Sequence, residues 1–588
     1  MQDPNRSFVS RRGRSRSAGA AMLLTAFALL LGACQPTPNR AATTSTESAA
    51  PQAVPAVGGA AGPRTVIIGG GRQHTDMGAF GVSDYEVRNL VDAELMRKNA
   101  LTITGEPWMA EERPSVEKGT WQVNADGSMV TTYKLRPGIK WHDGVPFTPK
   151  DVIFGWELIR DTRIPFGDRS VAQNINKIEA PDDRTIVLYW TKIYNRADEL
   201  YSTKLRPYPA HILEDVYRNQ PLDSFSSNPW WTSGFIGTGP FKVMSWDQDV
   251  EINLQAVDDY FLGRPKVDRI IWRFIFDTNT MLSNVLSNNV DAALRQAFTL
   301  DTGLVAKDQW AAKGEGTVIF SPVNMDRIGL SPYNPWLRDL RVRQALLHAI
   351  DRPSIVATLS RGVEEVAHIP LSPGRPQYEQ ALAVATKYDY DPQRASRLLA
   401  DAGWTPGADG ILVNGSGERF VVDGRTDPQV FQVQLQSAIS DNWKRVGVAV
   451  DVHNLTQREE SSSEQTRGHY AGVKWDWNSF AIDQWRFFYA TASIPTAQNA
   501  WIGSNEIAWD DPGKEAALDQ MDRSLEQAPY NAAVVQFTKL FSEQLPALPI
   551  KLQAEVMSVR KGLTNLYTRK ELGGENTRTW NAEQWEWK

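Results

Sequence analysis

YKLRPGIKWHDGVPFTPKDVIFGW, residues 133–156, joins the end of a strand, two turns and a helix start in one segment. Residues 129–135 alternate with the period of two that is typical of a half-buried strand. The Pro-Gly pair at 137–138 and the Asp-Gly pair at 143–144 predict turns, because proline presets one backbone angle and glycine accepts a positive φ. The segment is therefore expected to fold as strand, turn, short extended pieces and helix.

The helix start in this segment carries three agreeing signals. Thr148 is a favoured N-cap residue, Pro149 suits the first helical position, and Asp151 places a carboxylate beside the positive helix end. The segment also sets His142 beside Asp143, but adjacent side chains of an extended segment point to opposite faces. We interpret this pair as the entrance to a turn and not as a catalytic dyad.

Other strands and helices are spread along the chain. TVIIGGGRQH (65–74) predicts a strand that runs into glycines, but it is not a good dinucleotide-binding motif, because His74 stands at the third glycine position. The alternative is a loop that approaches another backbone or a ligand closely. Further strands are predicted at 184–190, 250–257, 268–276 and 447–455, and helix starts at Asp339 and Asp391. This mixture without a simple repeat predicts α/β lobes.

The N-terminal residues 1–33 have the pattern of a signal peptide. Five arginines precede an apolar run at 22–31, which is too short to span a bilayer, where about 20 apolar residues are needed. The run ends in Leu-Gly-Ala-Cys at 31–34, which resembles the lipobox of bacterial lipoproteins. Cys34 is the single cysteine of the chain. We therefore expect Cys34 to carry a lipid and residues 34–63 to form a flexible tether.

Composition argues against one large class of partners. The formal net charge of the 588 residues is −6, and the chain from Cys34 onward carries −10, because residues 1–33 hold five arginines and one aspartate. An acidic chain without a basic stripe is a poor candidate for nucleic-acid binding. The 21 tryptophans suit either large cores or stacking surfaces for ligands.

Seven segments, taken in order, carry a resemblance to one family. They are YKLRPGIKWHDGVPFTPKDVIFGWELI, IGTGPFKVMSW, DDYFLGRPKVDRIIWRFI, NNVDAAL, LRDLRVRQALLHAIDRPSIV, YDPQRASRLLADAGW and LFSEQLPALPIKLQ. Together they resemble the family 5 solute-binding proteins of ABC importers, the oligopeptide-, dipeptide- and nickel-binding group. The resemblance extends over residues 65–570, and this covers nearly the whole chain after the tether.

The resemblance implies an α/β fold of the two-lobed, type II periplasmic-binding-protein class, in which the lobes close over a ligand by a hinge motion. Carried over to this chain, the first lobe comprises 64–300 and 547–588. An extra inserted α/β domain occupies 101–221 within it, and the second lobe is 301–546.

The resemblance also implies a function, namely the capture of peptides and their delivery to the membrane permease subunits of an ABC importer. We expect a monomer without a cofactor. We also expect it to be lipid-anchored at the outer face of the cytoplasmic membrane, in the periplasm or on the cell surface. Some members of the family bind oligosaccharides instead, and the tryptophan content keeps that alternative open.

Two other classes of function find little support in the sequence. A hydrolase needs a nucleophile with a base and an orienting group, or a metal with a general base. The chain has neither a Gly-x-Ser-x-Gly nor a His-Glu-x-x-His motif, so we predict no catalytic residues. Its seven histidines include no closely spaced pair, so we predict no metal site, although nickel carriers belong to the same family.

The resemblance places the α-ammonium group of a peptide ligand against an aspartate that follows an aromatic-rich strand. Asp476, Trp477 and Asn478 match the Asp-aromatic part of that pattern, whereas another register of the preceding strand brings Asp483 near the position. A carboxylate in a closed cleft pairs well with an ammonium group, because an unpaired buried charge is costly. We expect Asp476→Ala to weaken peptide binding without unfolding the protein.

Four more residues complete the predicted ligand site. Trp475 and Trp485, together with Trp477, are candidates for stacking on the ligand, with packing in a core as the alternative for each. Gln73 and His74 belong with Arg72 to the loop after the glycines, which matches where members of the family present backbone to the ligand, with an ordinary surface loop as the alternative.

Overall fold

The computed structural model describes the chain from residue 64 to its end with several gaps. The described ranges are 64–78, 80, 84–102, 104–166, 169–200, 205–426, 430–455, 470–499, 501, 503–566 and 578–588. The predicted signal peptide, Cys34 and the tether lie outside them. No helix in these ranges is both long enough and apolar enough to cross a membrane.

The strands are distributed over the whole described chain. They are β1 (Thr65–Gly70), β2 (Met96–Lys98), β3 (Gly105–Pro107), β4 (Trp121–Val123), β5 (Met129–Lys134), β6 (Ile175–Asp182), β7 (Thr185–Trp190), β8 (Phe241–Asp247), β9 (Glu251–Ala256), β10 (Arg269–Phe274), β11 (Ala292–Leu294), β12 (Gly316–Leu330), β13 (Thr405–Pro406), β14 (Leu412–Val413), β15 (Val421–Thr426), β16 (Ala449–Asn454), β17 (Val473–Ser479), β18 (Ala547–Arg560), β19 (Leu563–Thr564) and β20 (Glu586–Trp587).

The helices alternate with these strands. They are α1 (Tyr85–Val91), α2 (Pro149–Arg160), α3 (Ser170–Asn174), α4 (Ala210–Asn219), α5 (Leu222–Ser226), α6 (Thr278–Leu286), α7 (Leu300–Gln309), α8 (Leu340–His348), α9 (Arg352–Leu359), α10 (Tyr378–Val384), α11 (Pro392–Asp401), α12 (Val430–Arg445), α13 (Trp485–Tyr489), α14 (Pro512–Arg523) and α15 (Gln527–Gln544). The strands predicted at 184–190, 250–257, 268–276 and 447–455 correspond to β7, β9, β10 and β16, and the predicted helix starts correspond to α8 and α11.

The segment 133–156 folds as its sequence predicts. Gly138 and Gly144 adopt φ values of 77° and 90°, which only glycine enters without strain. Thr148 is the N-cap of α2, and its N–H donates to the Asp151 carboxylate at 2.9 Å. The glycines at 138 and 144 therefore form the predicted turns, and Thr148 with Asp151 forms the predicted helix start.

A ten-stranded sheet forms the centre of the molecule. Its strand order is β16-β15-β17-β12-β18-β11-β1-β10-β9-β8. On one side β1 pairs in parallel with β10 and β11, and on the other side β15 pairs in parallel with β16 and β17. Between these two parallel groups run the long antiparallel strands β12 and β18.

Separate hydrophobic cores divide the sheet into two lobes. We call the part with β8, β9, β10, β1 and β11 the first lobe, and the part with β15, β16 and β17 the second lobe. The first lobe buries Trp230, Trp231 and Trp272 in its larger core, whereas the second lobe buries Trp443 and Trp475. Much of the tryptophan content is thus used in cores.

The two lobes are connected through β12 and β18, which contribute to both of them. Near one end of β18, Val556 lies in a first-lobe core, and further toward the other end Ile550 lies in a second-lobe core. The register between the two strands is irregular at Pro322/Asn324. We call residues 321–324 and 553–555 the crossing segments. The predicted boundary at 546/547 coincides with the start of β18, and the one at 300/301 lies at the start of α7, which packs in a first-lobe core through Ala306.

A smaller sheet of order β4-β5-β7-β6 lies within the range predicted for the inserted domain, and we call this sheet with its core the inserted domain. Its core extends from Ala93 to Leu205 and includes Trp141 and Trp190. The alternation predicted for β5 is observed there, since Met129 and Tyr133 are buried.

Candidate functional site

The carboxyl ends of the parallel strands in both lobes approach the crossing segments. In the first lobe, β1 and β11 end side by side at Gly70 and Leu294. In the second lobe, β17 ends at Ser479, which pairs with Asn324 in a crossing segment. Open α/β sheets bind ligands at the carboxyl ends of their parallel strands. The region between these ends is therefore the candidate site.

Trp475 and Trp477 lie on the same face of β17 but have different surroundings. Trp475 is fully buried and packs against Trp443, with 5.8 Å between ring centroids. Among the described residues, the neighbouring strand β15 pairs with β17 as far as Thr426, which lies opposite Trp475. Trp477, two residues further on, is 41% exposed. The structure thus favours core packing for Trp475 and presents Trp477 as an accessible ring near the candidate site.

Asp476 faces the other way and is already paired. Its carboxylate accepts two hydrogen bonds from the guanidinium group of Arg327, at 2.8 and 3.1 Å. The side chain of Arg327 is 4% exposed and that of Asp476 is 16% exposed. Burial acts to lower the pKa of Arg327, but the Asp476 carboxylate raises it above its ordinary value. Contact of Asp476 with a ligand stays a prediction, and the carboxylate has a structural partner.

Asn478 and Trp485 lie in the interior of the second lobe. The Asn478 amide donates to the hydroxyl of Tyr489, and the Asn478 side chain is buried. Trp485 is fully buried and stacks on Phe537, with ring centroids 4.4 Å apart. The structure favours core packing for Trp485 and shows no surface through which it meets a ligand.

Asp483 connects the second lobe to the inserted domain. Its carboxylate lies 3.5 Å from the Arg196 guanidinium group. The backbone N–H of the adjacent Asn195 donates to the carbonyl of Asp522 at 2.9 Å. This contact holds the inserted domain against the second lobe beside the end of β17.

The two predicted first-lobe residues differ in exposure. The Gln73 amide is exposed and donates to Asp249 at 3.1 Å. His74 is fully buried, its Nδ1 accepts from the Asp84 N–H at 2.7 Å, and its ring lies against Trp246. His74 therefore supports the loop from within and does not present its side chain to the site.

We expect the protein to lose stability in acid partly through His74. Burial is the largest cause that lowers the pKa of His74, to about 3, and Arg88, Arg72 and Arg206 lower it further. This pKa lies below the unfolded value of about 6.5, so the stabilising contribution is complete above that pH. It falls as the pH drops from 6.5 toward 3, by about 1.4 kcal/mol per pH unit. Urea unfolding between pH 4 and 7 measures this slope.

The variant His74→Asn keeps an acceptor for the Asp84 N–H and removes the titration, so its stability should depend less on pH. His453→Asn is the matched control, because the His453 side chain is 56% exposed. An unchanged pH slope in His74→Asn would show that protonation of His74 does not contribute.

A buried charged cluster lies one strand away from β17. The Lys551 ammonium group is 2.8 Å from the Asp326 carboxylate and also contacts Glu364, and all three side chains are almost completely buried. The Gln432 amide donates to Asp326 at 3.0 Å. Sequence reasoning missed this cluster, because its members lie on three separate segments without a shared motif.

His142 has a structural role. Its Nδ1 accepts from the Gly237 N–H at 3.2 Å, and its Nε2 lies 3.0 Å from the Gly239 carbonyl. Asp143 instead contacts His211 at 2.9 Å. The two neighbours are therefore engaged in different contacts. In the described part of the chain, no group of three or more His, Cys, Asp or Glu residues is arranged to hold a metal ion.

Two α/β lobes joined by a pair of crossing strands, with strand ends facing a common region, define a two-lobed binding protein. The chain belongs to the bacterial extracellular solute-binding proteins, family 5, whose middle region matches residues 105–499. The structure of an oligopeptide-binding protein from Thermus thermophilus, complexed with a pentapeptide, matches with a TM-score of 0.72 at 24% identity, covering 90% of this chain and 97% of that one. The predicted two-lobed type II α/β fold is confirmed.

Relatives identified by sequence include proteins named for peptide binding. A putative ABC transporter peptide-binding protein of Brucella ovis is 30% identical over 289 residues, which cover 48% of this chain and 51% of that protein. The oligopeptide-binding protein AppA of Bacillus subtilis is 31% identical over 337 residues, which cover 55% of this chain and 58% of AppA. The chain thus spans about half the length of these curated relatives.

Proposed function

We propose that this protein is the substrate-binding component of an ABC importer, which captures peptides between its lobes and delivers them to permease subunits. The observation that carries the proposal is the meeting of parallel-strand ends from both lobes at two crossing strands, in a chain of the family 5 solute-binding proteins. The peptide-binding names of the Brucella and Bacillus relatives support the choice of ligand. The protein binds its solute and does not convert it.

The structure supports capture by closure of the lobes. The crossing segments are the connections that β12 and β18 provide, and the irregular register at Pro322/Asn324 weakens the ladder there. Hinges are a few residues that absorb changes in backbone angles. The contact of Arg196 with Asp483, at 3.5 Å, lies between the inserted domain and the second lobe. We propose that this contact forms when the lobes close and breaks when they open.

A thermal-shift screen tests the choice of ligand. Pools of peptides of two to nine residues are compared with cello-, xylo- and manno-oligosaccharides, because a ligand at 100 times its Kd stabilises the folded state by about 2.7 kcal/mol. We expect peptides, and not sugars, to raise the melting temperature. A rise with sugars alone would refute the peptide proposal.

Oligosaccharide binding is the second candidate, and Trp477 is the observation in its favour. An indole ring that is 41% exposed near the candidate site is suited to stacking on a sugar face as well as on a peptide side chain. Trp477→Ala should weaken whichever class binds, and its melting temperature without ligand should stay close to that of the parent protein. The screen repeated on this variant therefore reports on the site and not on folding.

We propose that a lipid on Cys34 holds the protein to the outer face of the cytoplasmic membrane. The support is the apolar run followed by Leu-Gly-Ala-Cys at 31–34. Cys34→Ser should move the protein from the membrane fraction to the soluble fraction, as followed by immunoblotting after fractionation. An alanine-to-serine change in the adjacent tether, Ala42→Ser, is the control and should leave the protein in membranes. Attachment of Cys34→Ser to membranes would contradict the proposal.

A further inference from the structure

Two arginines follow the ends of neighbouring first-lobe strands at the candidate site. Arg72 follows the carboxyl end of β1 and Arg295 follows that of the parallel strand β11. The Gly71 N–H donates to the Arg295 carbonyl at 3.1 Å. A Cβ atom on Gly71 would lie 2.0 Å from the carbonyl oxygen of Gln296, so only glycine allows this approach. The glycine loop therefore brings the two arginines together.

The position of this pair is close to the connection between the lobes. The N–H of Gln296, the residue after Arg295, donates to the Glu555 carboxylate in a crossing segment at 3.0 Å. Arg72 and Arg295 are both half-buried, so they are partly desolvated and still reachable. A ligand held between the lobes would meet them from the first-lobe side.

Both side chains lack a hydrogen-bond partner within the described ranges, although the Asp84 carboxylate interacts with them electrostatically. Neither guanidinium group forms an ion pair or a hydrogen bond with a described residue, and Nη1 of Arg295 is completely buried without an acceptor. The neighbouring Asp84 carboxylate uses Oδ1 to cap α1 at 3.0 Å, and its Oδ2 also has no hydrogen-bond partner. Burial lowers the pKa of Arg72, and the nearby Arg295 charge lowers it further.

Other charged groups nearby are already paired. Arg206 meets Asp92 at 2.7 Å, and Arg88 lies 3.5 Å from Glu94. Glu555 contacts Arg578. A partly buried guanidinium group without an anion is unfavourable, whereas bidentate pairing with a carboxylate is strong. The Asp84 carboxylate interacts electrostatically with Arg72 and Arg295 but accepts no hydrogen bond from either of them. The two guanidinium groups therefore keep hydrogen-bond donors for a further anion.

We propose that Arg72 and Arg295 form a first-lobe subsite that binds a carboxylate group of the ligand. The proposal rests on the proposed function, since it specifies the chemistry of the same site. The carboxylate has two sources in a peptide, namely the C-terminus and an acidic side chain. The matching source in a sugar is a uronic acid.

Calorimetry with matched ligands tests the subsite. Peptides found in the screen are compared with their C-terminal amides and with Glu-to-Gln versions, and neutral oligosaccharides are compared with uronate-containing ones. We expect the protein to prefer the carboxylate form in one of these arms. Arg72→Gln and Arg295→Gln should each raise the Kd of that form by about 10- to 100-fold and leave the Kd of the uncharged form nearly unchanged. Arg295→Lys should restore part of the affinity.

Arg397→Gln is the matched control, because it removes one arginine from an exposed position of α11. The melting temperature without ligand separates a binding role from a structural one, since loss of a cation without a hydrogen-bond partner should not lower it. If peptides bind with the same Kd in their carboxylate and uncharged forms, the subsite is overturned and the proposed function still holds. If no peptide binds but uronate-containing sugars bind through their carboxylate, the peptide function is overturned and the subsite is supported. Absence of carboxylate-dependent binding in all arms overturns the subsite.

Discussion

Asp476→Ala should lower the stability of the second lobe by about 3–5 kcal/mol, because it leaves the buried Arg327 charge without its anion. Arg327 is 4% exposed, and its two hydrogen bonds to Asp476 join directly opposed residues of β12 and β17. Removing one member of such a pair costs more than the pair itself contributes. Urea unfolding followed by tryptophan fluorescence measures the loss.

The control for this prediction is the same substitution at an exposed pair. Asp258 contacts Arg264 at 2.8 Å, but its side chain is 81% exposed. Asp258→Ala should therefore cost less than about 1 kcal/mol. The double variant Asp476→Leu with Arg327→Met should recover much of the stability, since apolar replacement of a whole buried pair is often tolerated. Equal losses for Asp476→Ala and Asp258→Ala would show that the Arg327 pair is not structural.

This outcome also changes how a binding test on Asp476 is interpreted. The sequence suggests that Asp476→Ala weakens binding and leaves the fold intact, whereas the pairing with Arg327 makes a loss of stability the first expected effect. Binding constants of this variant are meaningful only below its unfolding transition. Asp476→Asn retains the shape of the side chain and is the better probe of contact with a ligand.

Lys551→Met should lower the free energy of unfolding by a similar amount, about 3–5 kcal/mol, because it leaves the buried carboxylates of Asp326 and Glu364 without their cation. Lys551 is fully buried between them and directly opposite Asp326 on β12. Without the ammonium group, a buried carboxyl has a folded-state pKa above its unfolded value of about 4. Its ionisation then opposes folding, so the variant should become less stable as the pH rises from 4 to 7.

Urea unfolding at pH 5 and pH 7 tests both the size and the sign of this effect. Asp326→Asn combined with Lys551→Met should be more stable than Lys551→Met alone, because one of the stranded charges is gone. Lys561→Met is the control, since the Lys561 side chain lies on the surface. A Lys551→Met variant that is as stable as the Lys561→Met control would mean that the cluster contributes nothing.

Local features of the fold were predictable because their causes are local. The cap at Thr148 and the positive φ of Gly138 follow from residues next to one another. The glycines at 69–71 indicated a close approach to another backbone, and Gly71 makes that approach to Gln296. The two-lobed type II fold was predictable only from the resemblance to a family, because no single local pattern contains it.

The candidate site was harder to predict, because burial of a charged or aromatic side chain depends on partners far away in the sequence. Arg327 and Asp476 are 149 residues apart, and no sequence pattern near either residue predicts the pairing. Alternation places Trp475 and Trp477 on one face of a strand, but Trp475 is buried beside Trp443, 32 residues away in sequence, whereas Trp477 is 41% exposed.

The position of β18 late in the sequence determines when the two lobes can fold during synthesis. The residues of this strand enter cores of both lobes, through Leu548 and Leu552 on one side and Val556 and Val559 on the other. The indole N–H of Trp587 donates to the carbonyl of Thr65 at 3.0 Å. Neither lobe can complete its core until β18 has been synthesised, and contacts this distant in sequence form slowly. A nascent chain of this protein therefore leaves apolar surface of both lobes uncovered until β18 has been synthesised, and a chaperone that binds such surface during synthesis would have both lobes as targets.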